Sequence, residues 1–97
     1  MIVVHDTFIA KPGNASKLAK LFKEVMADGE EHVEVLTDMT GQYNRVIMVS
    51  KYENLAAFEA SFQKYMQDTP EMQKMREKMK GYTDMYQAGS REIFRIW

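Results

Sequence analysis

The chain has 97 residues, with 13 basic and 14 acidic side chains and a formal charge of -1, so it has no global positive field to attract nucleic acid or anionic lipid. Apolar residues make up 45% and charged residues 28%, a balance that excludes a disordered chain, and the lack of cysteine excludes disulfides, thiolate metal sites and a cysteine nucleophile. A chain this short leaves much of its surface wet when it folds alone, so burial against a partner is expected.

No run approaches the length of a membrane span, and His5-Asp6 interrupts Met1-Ile2-Val3-Val4, so a cytoplasmic protein is expected, with neither nucleic acid nor membrane as a partner. Nine methionines either fill irregular gaps in the core or furnish an adaptable surface for varied ligands.

Ile2 to Ala10 is rich in β-branched and aromatic residues and precedes Pro12-Gly13, which predicts a first strand and a turn. Ile2, Val4 and Phe8 fall on one face and Val3 and Ile9 on the other, the pattern of a strand covered on both sides. Asn14 is a candidate cap for a helix in which Leu18, Leu21, Phe22, Val25 and Met26 recur at helical spacing until Asp28-Gly29. Lys17, Lys20 and Lys23 lie off that stripe and read as a solvated face.

His32 to Met39 alternates, and Thr40-Gly41-Gln42 turns the chain into a second strand from Tyr43 to Tyr52, giving a hairpin. In that second strand Val46 and Met48 oppose Ile47 and Val49, so it too is expected to be central. Asn54 caps a helix carrying Leu55, Phe58, Phe62, Tyr65 and Met66. Thr69-Pro70-Glu71 then restarts a helix, with Met72, Met75 and Met79 as its stripe and Gly81 as its end. A last strand is expected from Arg91 to Trp97, after an irregular approach through Ala88-Gly89-Ser90.

This order predicts one α+β domain over residues 1–97, a ferredoxin-like βαββαβ unit with a four-stranded antiparallel sheet against one layer of helices. One helical layer covers one sheet face. Apolar side chains on the other face therefore predict a homodimer, sheet against sheet about a two-fold axis, a dimeric α/β barrel.

Two stretches, Phe8-Ile9-Ala10-Lys11-Pro12-Gly13-Asn14 and Ser90-Arg91-Glu92-Ile93-Phe94-Arg95, together with the element order, give a chain that resembles the dimeric α/β-barrel superfamily, which includes the antibiotic-biosynthesis monooxygenase-like domains. The resemblance implies the fold and the dimer. It leaves several functions open, because that superfamily includes cofactor-free oxygenases, haem-degrading enzymes, isomerases and small ligand-binding or stress-related proteins. The haem-degrading branch is disfavoured: its first-strand Asn is replaced here by the run His5-Asp6-Thr7, and the second helix has neither His nor Trp.

His5 and Asp6 are adjacent on a strand and must leave on opposite faces. A neutral His5 in a cavity is a candidate base toward a phenolic or enolic substrate; its structural alternative is a histidine hydrogen-bonded in an apolar core. Asp6 is either part of a site or one half of an ion pair with Arg45, Lys51, Arg91 or Arg95. Arg45 is the candidate holder of a substrate oxyanion, or else an edge salt bridge.

Tyr43, Tyr65 and Trp97, with Tyr82 and Tyr86, are candidates for an aromatic pocket, or alternatively for core and interface anchors. His32 and Glu34, with Glu30 and Glu31 nearby, form a weak metal pattern, and no metal site or cofactor is expected. No phosphate-binding glycine loop or GxSxG elbow is present, so hydrolase and nucleotide-dependent classes drop out.

The expectation is a small-molecule-binding dimer with a cavity between sheet and helices. Its enzymatic form is a cofactor-independent monooxygenase or isomerase acting on an aromatic or enolisable compound, and its alternative is a non-enzymatic ligand-binding or interaction protein. Convergence of His5, Asp6 or Arg45 on one enclosed point distinguishes the two.

Overall fold

Strand β1 (Ile2–Ala10) leads into helix α1 (Ala15–Met26), the hairpin strands β2 (His32–Thr37) and β3 (Arg45–Tyr52), helices α2 (Leu55–Met66) and α3 (Pro70–Lys78), a single 3₁₀ turn at Tyr82–Asp84, and β4 (Tyr86–Arg95). A computed structural model describes residues 1–27 and 31–97. The expected end of α1 at Asp28-Gly29 and the acidic Glu30 lie outside the described residues, as does the side chain of His32.

The sheet is fully antiparallel, in the order β2-β3-β1-β4. The two strands whose apolar residues fall on both faces are thus the central pair, as expected from their patterning. Phe8 sets the face toward the helices, since its ring lies 4.9 Å from that of Phe22 on α1. By alternation and register, Val4, Asp6, Phe8 and Ala10 share that side with Val46, Met48, Arg91 and Ile93. Val3, His5, Thr7 and Ile9 lie on the opposite, open side with Ile47, Val49 and Phe94.

The helices of this layer are seated unequally. Leu18, Phe22 and Met26 bury the apolar stripe of α1 against Ala10 and Val46, and Phe8, Val35, Met48 and Met79 pack around them. Helix α2 buries no residue at all, and α3 buries Met72 alone.

Both later helices are capped as their sequences require: the Asn54 side chain accepts from the Ala57 N–H at 2.8 Å and Thr69 Oγ1 from the Met72 N–H at 3.2 Å. Asn14 departs from expectation. It adopts helical angles and makes no side-chain cap, and its backbone carbonyl accepts from the Leu18 N–H instead.

The hairpin is shorter than its alternation suggests, because Asp38 turns inward to accept the Arg45 N–H at 2.6 Å and ends the ladder before Met39 and Tyr43. Gly41 is required in that turn: its φ is +100° and a Cβ there would stand 2.8 Å from Arg45 Nη2.

The largest correction concerns the last strand, which begins at Tyr86 and ends at Arg95. Ala88, Gly89 and Ser90 are regular rungs opposite Ile9, Phe8 and Thr7, and Trp97 lies beyond the strand. Pairing along the whole of β1 supplies the hydrogen bonds that such a poor strand former as Gly89 does not favour alone. A β-carbon at Gly89 would come within 3.8 Å of Phe8 Cδ1, ordinary contact distance, so that ring lies directly over the glycine.

Candidate functional site

Asp6 and Arg91 are register partners on β1 and β4, and both project toward the helical layer. Arg91 Nε donates to Asp6 Oδ1 at 2.5 Å. The guanidinium carbon also stands 5.3 Å from the ring centre of Phe58 and 5.4 Å from that of Phe62, so two aromatic faces of α2 attract the same cation. The rings continue as a row, with Tyr52 on Phe58 at 5.2 Å and Phe58 on Phe62 at 5.0 Å, each edge-to-face.

The pair is unequally covered. The Asp6 side chain is 16% exposed and that of Arg91 46%. Above it, Phe62 stays 39% exposed and Ile93, on the same sheet side, 40%. Because α2 buries none of its residues, its rings stand over the sheet without sealing it. The Asp6–Arg91 pair thus lies between α2 and the sheet, with the rings of Phe58 and Phe62 beside one oriented cation.

Two anchors hold α2 in this position. The Tyr65 hydroxyl donates to Glu31 Oε1 at 2.8 Å, and burial together with that carboxylate pushes the Tyr65 phenol well above its ordinary value. At the helix end, Arg76 Nη2 donates to the carbonyls of Tyr65 at 3.2 Å and Gln67 at 3.0 Å, satisfying acceptors that the helix leaves unpaired.

The residues singled out from sequence do not converge within one chain. His5 lies on the open face with its ring 5.3 Å from Phe94, edge-on, so the sheet separates it from Asp6. Arg45 sits at the start of β3, where Nη2 donates to the Thr40 carbonyl at 3.4 Å and Nε is buried without a hydrogen-bond partner. Arg45 is thus committed to the hairpin turn, three rungs along β1 from Asp6.

The three proposed aromatic groups are equally dispersed. Tyr43 is 83% exposed in the hairpin turn and Trp97 fully exposed past β4, while Tyr65 alone of the three lies on α2. Arg91 was one of four cations expected as an ion-pair partner of Asp6, and it is the one that makes the pair, but neither it nor the Phe58–Phe62 pair had been given a place in the site. Alternation could not have found Arg91: it lies five residues after Tyr86, and only the register shift between Ile9 and Ala10 brings both to the helical side.

A separate open depression of about 380 Å³ lies at the α2–α3 junction, lined by Lys64, Gln67, Thr69, Pro70, Glu71 and Met72. Gln67, the acceptor for Arg76, borders it, whereas Asp6, Arg91, Phe58 and Phe62 do not. No group of three or more potential ligating side chains occurs among the described residues, and no described helix is long and apolar enough to cross a membrane.

The model of the antibiotic biosynthesis monooxygenase family matches residues 1–78, from β1 through α3. The chain belongs to that family. The matched span stops short of β4, so Arg91 lies outside it. A comparison with curated proteins returned no match.

Among solved structures, a NIPSNAP family protein of Agrobacterium tumefaciens is similar at 16% identity and TM-score 0.79, over 97% of this chain and 90% of that one. A NIPSNAP domain protein of Burkholderia xenovorans is similar at 13% identity and TM-score 0.75, over 100% and 95%. A protein of Deinococcus radiodurans described as an antibiotic biosynthesis monooxygenase is similar at 14% identity and TM-score 0.58, over 100% and 93%. At these identities the likeness establishes the ferredoxin-like fold and leaves the chemistry to the site.

Proposed function

We propose that this member of the antibiotic biosynthesis monooxygenase family is a small-molecule-binding homodimer whose ligand site is the cleft under α2. The observation that carries the reading is the Asp6–Arg91 pair held beneath Phe58 and Phe62 by a helix that buries none of its own residues. A helix kept open over an apolar, once-charged floor is the arrangement of a binding cleft more than that of a finished core.

In its enzymatic form the protein is a cofactor-independent monooxygenase or isomerase acting on an aromatic or enolisable compound. The carboxylate available on this side of the sheet is Asp6, with Arg91 oriented beside the place where charge develops on the substrate oxygen. His5 serves as a base only toward a ligand on the open face.

The dimer reading is supported by that same open face, where Val3, Ile9, Ile47, Leu36 and Phe94 present apolar surface that the helices leave uncovered. Ile47→Glu is expected to yield a folded monomer in sedimentation while wild type sediments as a dimer. A well-folded wild-type monomer at high concentration would overturn the assembly. For the site, titration with small aromatic compounds followed by amide and side-chain NMR should shift Phe58, Phe62 and Arg91 together. No compound moving that group of resonances would remove the cleft reading.

A further inference from the structure

The terminal nitrogens of Arg91 are donors without an acceptor among the described residues. A guanidinium carries five N–H groups in a rigid fork, and here only the Nε–H has an acceptor among the described residues. The group is nevertheless immobilised, by Asp6 on its inner edge and by Phe58 and Phe62 against its face. A fork already held in place loses little conformational entropy on accepting a ligand.

We propose that the outer edge of Arg91 is an oxyanion-recognition site, and that the ligand is a planar aromatic compound carrying one singly charged oxygen group: a carboxylate, an enolate or a phenolate. This rests on the cleft reading above and adds the charge and shape of what enters it. The ring row of Tyr52, Phe58 and Phe62 supplies a wall for a flat apolar body, and Ile93 stands on the sheet beside the cation. Asp6 sets the limit on charge. Its carboxylate already offsets Arg91, so the pair attracts an anion only modestly, while the cost of stripping water from the ligand grows with the square of its charge; a dianion such as a phosphate monoester therefore loses more on entering than a monoanion does. Arg91 therefore takes the role that the sequence suggested for Arg45, whose guanidinium is spent on the hairpin turn.

The test uses the full chain and three probes of one shape: 2-naphthoate, neutral 2-naphthamide and dianionic 2-naphthyl phosphate. Dissociation constants come from NMR titration, with the Nε–Hε resonance of Arg91 as the local reporter. Naphthoate is expected to bind at least about 10-fold more tightly than naphthamide and naphthyl phosphate, and to move the Arg91 resonance more than either. In Arg91→Gln, checked for a dispersed spectrum, the naphthoate preference over naphthamide should vanish.

Equal affinity and equal movement of the Arg91 resonance in wild type, a measurement that needs no variant to fold, would overturn the proposal. A preference that persists in folded Arg91→Gln would do the same. If naphthoate and naphthamide both shift the Phe58 and Phe62 resonances equally, the cleft stands and the oxyanion site falls; if neither shifts them, both readings fall.

Discussion

Asp6 and Arg91 face each other across the β1–β4 ladder, joined at 2.5 Å on the helical side of the sheet and roofed by two phenylalanine rings. The acid is nearly covered and the base half open, so their attraction falls between that of a surface pair and that of a buried one. A double-mutant cycle of Asp6→Asn and Arg91→Gln, read from urea unfolding, should give a coupling of about 1 kcal/mol. Additive single effects would show that the pair contributes nothing to folding.

The unequal seating of the helices predicts an unequal cost of truncation. Phe22 is fully buried, whereas Phe58 is partly exposed on a helix with no buried residue. Phe22→Ala should cost about 3–5 kcal/mol, and Phe58→Ala clearly less. Amide exchange in wild type should open α2 before α1, since local opening follows the amount of buried contact. Matching protection in the two helices would contradict a loosely seated α2.

Tyr65 carries the pH signature. Burial and the Glu31 carboxylate favour its neutral phenol in the folded chain, while in the unfolded chain it ionises at its ordinary value of about 10. Its contribution to stability is therefore complete below that pH and is lost as pH rises above it, because the unfolded state gives up the proton first. Tyr65→Phe should lower stability at neutral pH by about 1 kcal/mol, for the lost hydrogen bond to Glu31. Above about pH 10 it should decline less steeply than wild type in urea midpoints. Parallel alkaline declines would place the sensitivity elsewhere, for instance at Tyr82, whose phenol is also raised by burial and by Tyr86.

Much of the fold was legible because its signals are local. The stripe of Leu18, Phe22 and Met26, the caps at Asn54 and Thr69, and the two-sided patterning of β1 and β3 each follow from residues a few positions apart, and the structure keeps them. Local signals also misled. Ala88-Gly89-Ser90 reads as a break, yet it pairs regularly because β1 lies alongside it, and Tyr43 reads as strand until Asp38 takes the Arg45 amide.

The sequence by itself determined the element order, the central place of β1 and β3, and the departure of His5 and Asp6 to opposite faces, since alternation along a strand allows nothing else. Only the tertiary structure decided which arginine meets Asp6. Four cations were available to it, and the choice depended on where β4 begins and hence on register along the ladder, a relation between residues 85 positions apart that neither segment encodes alone.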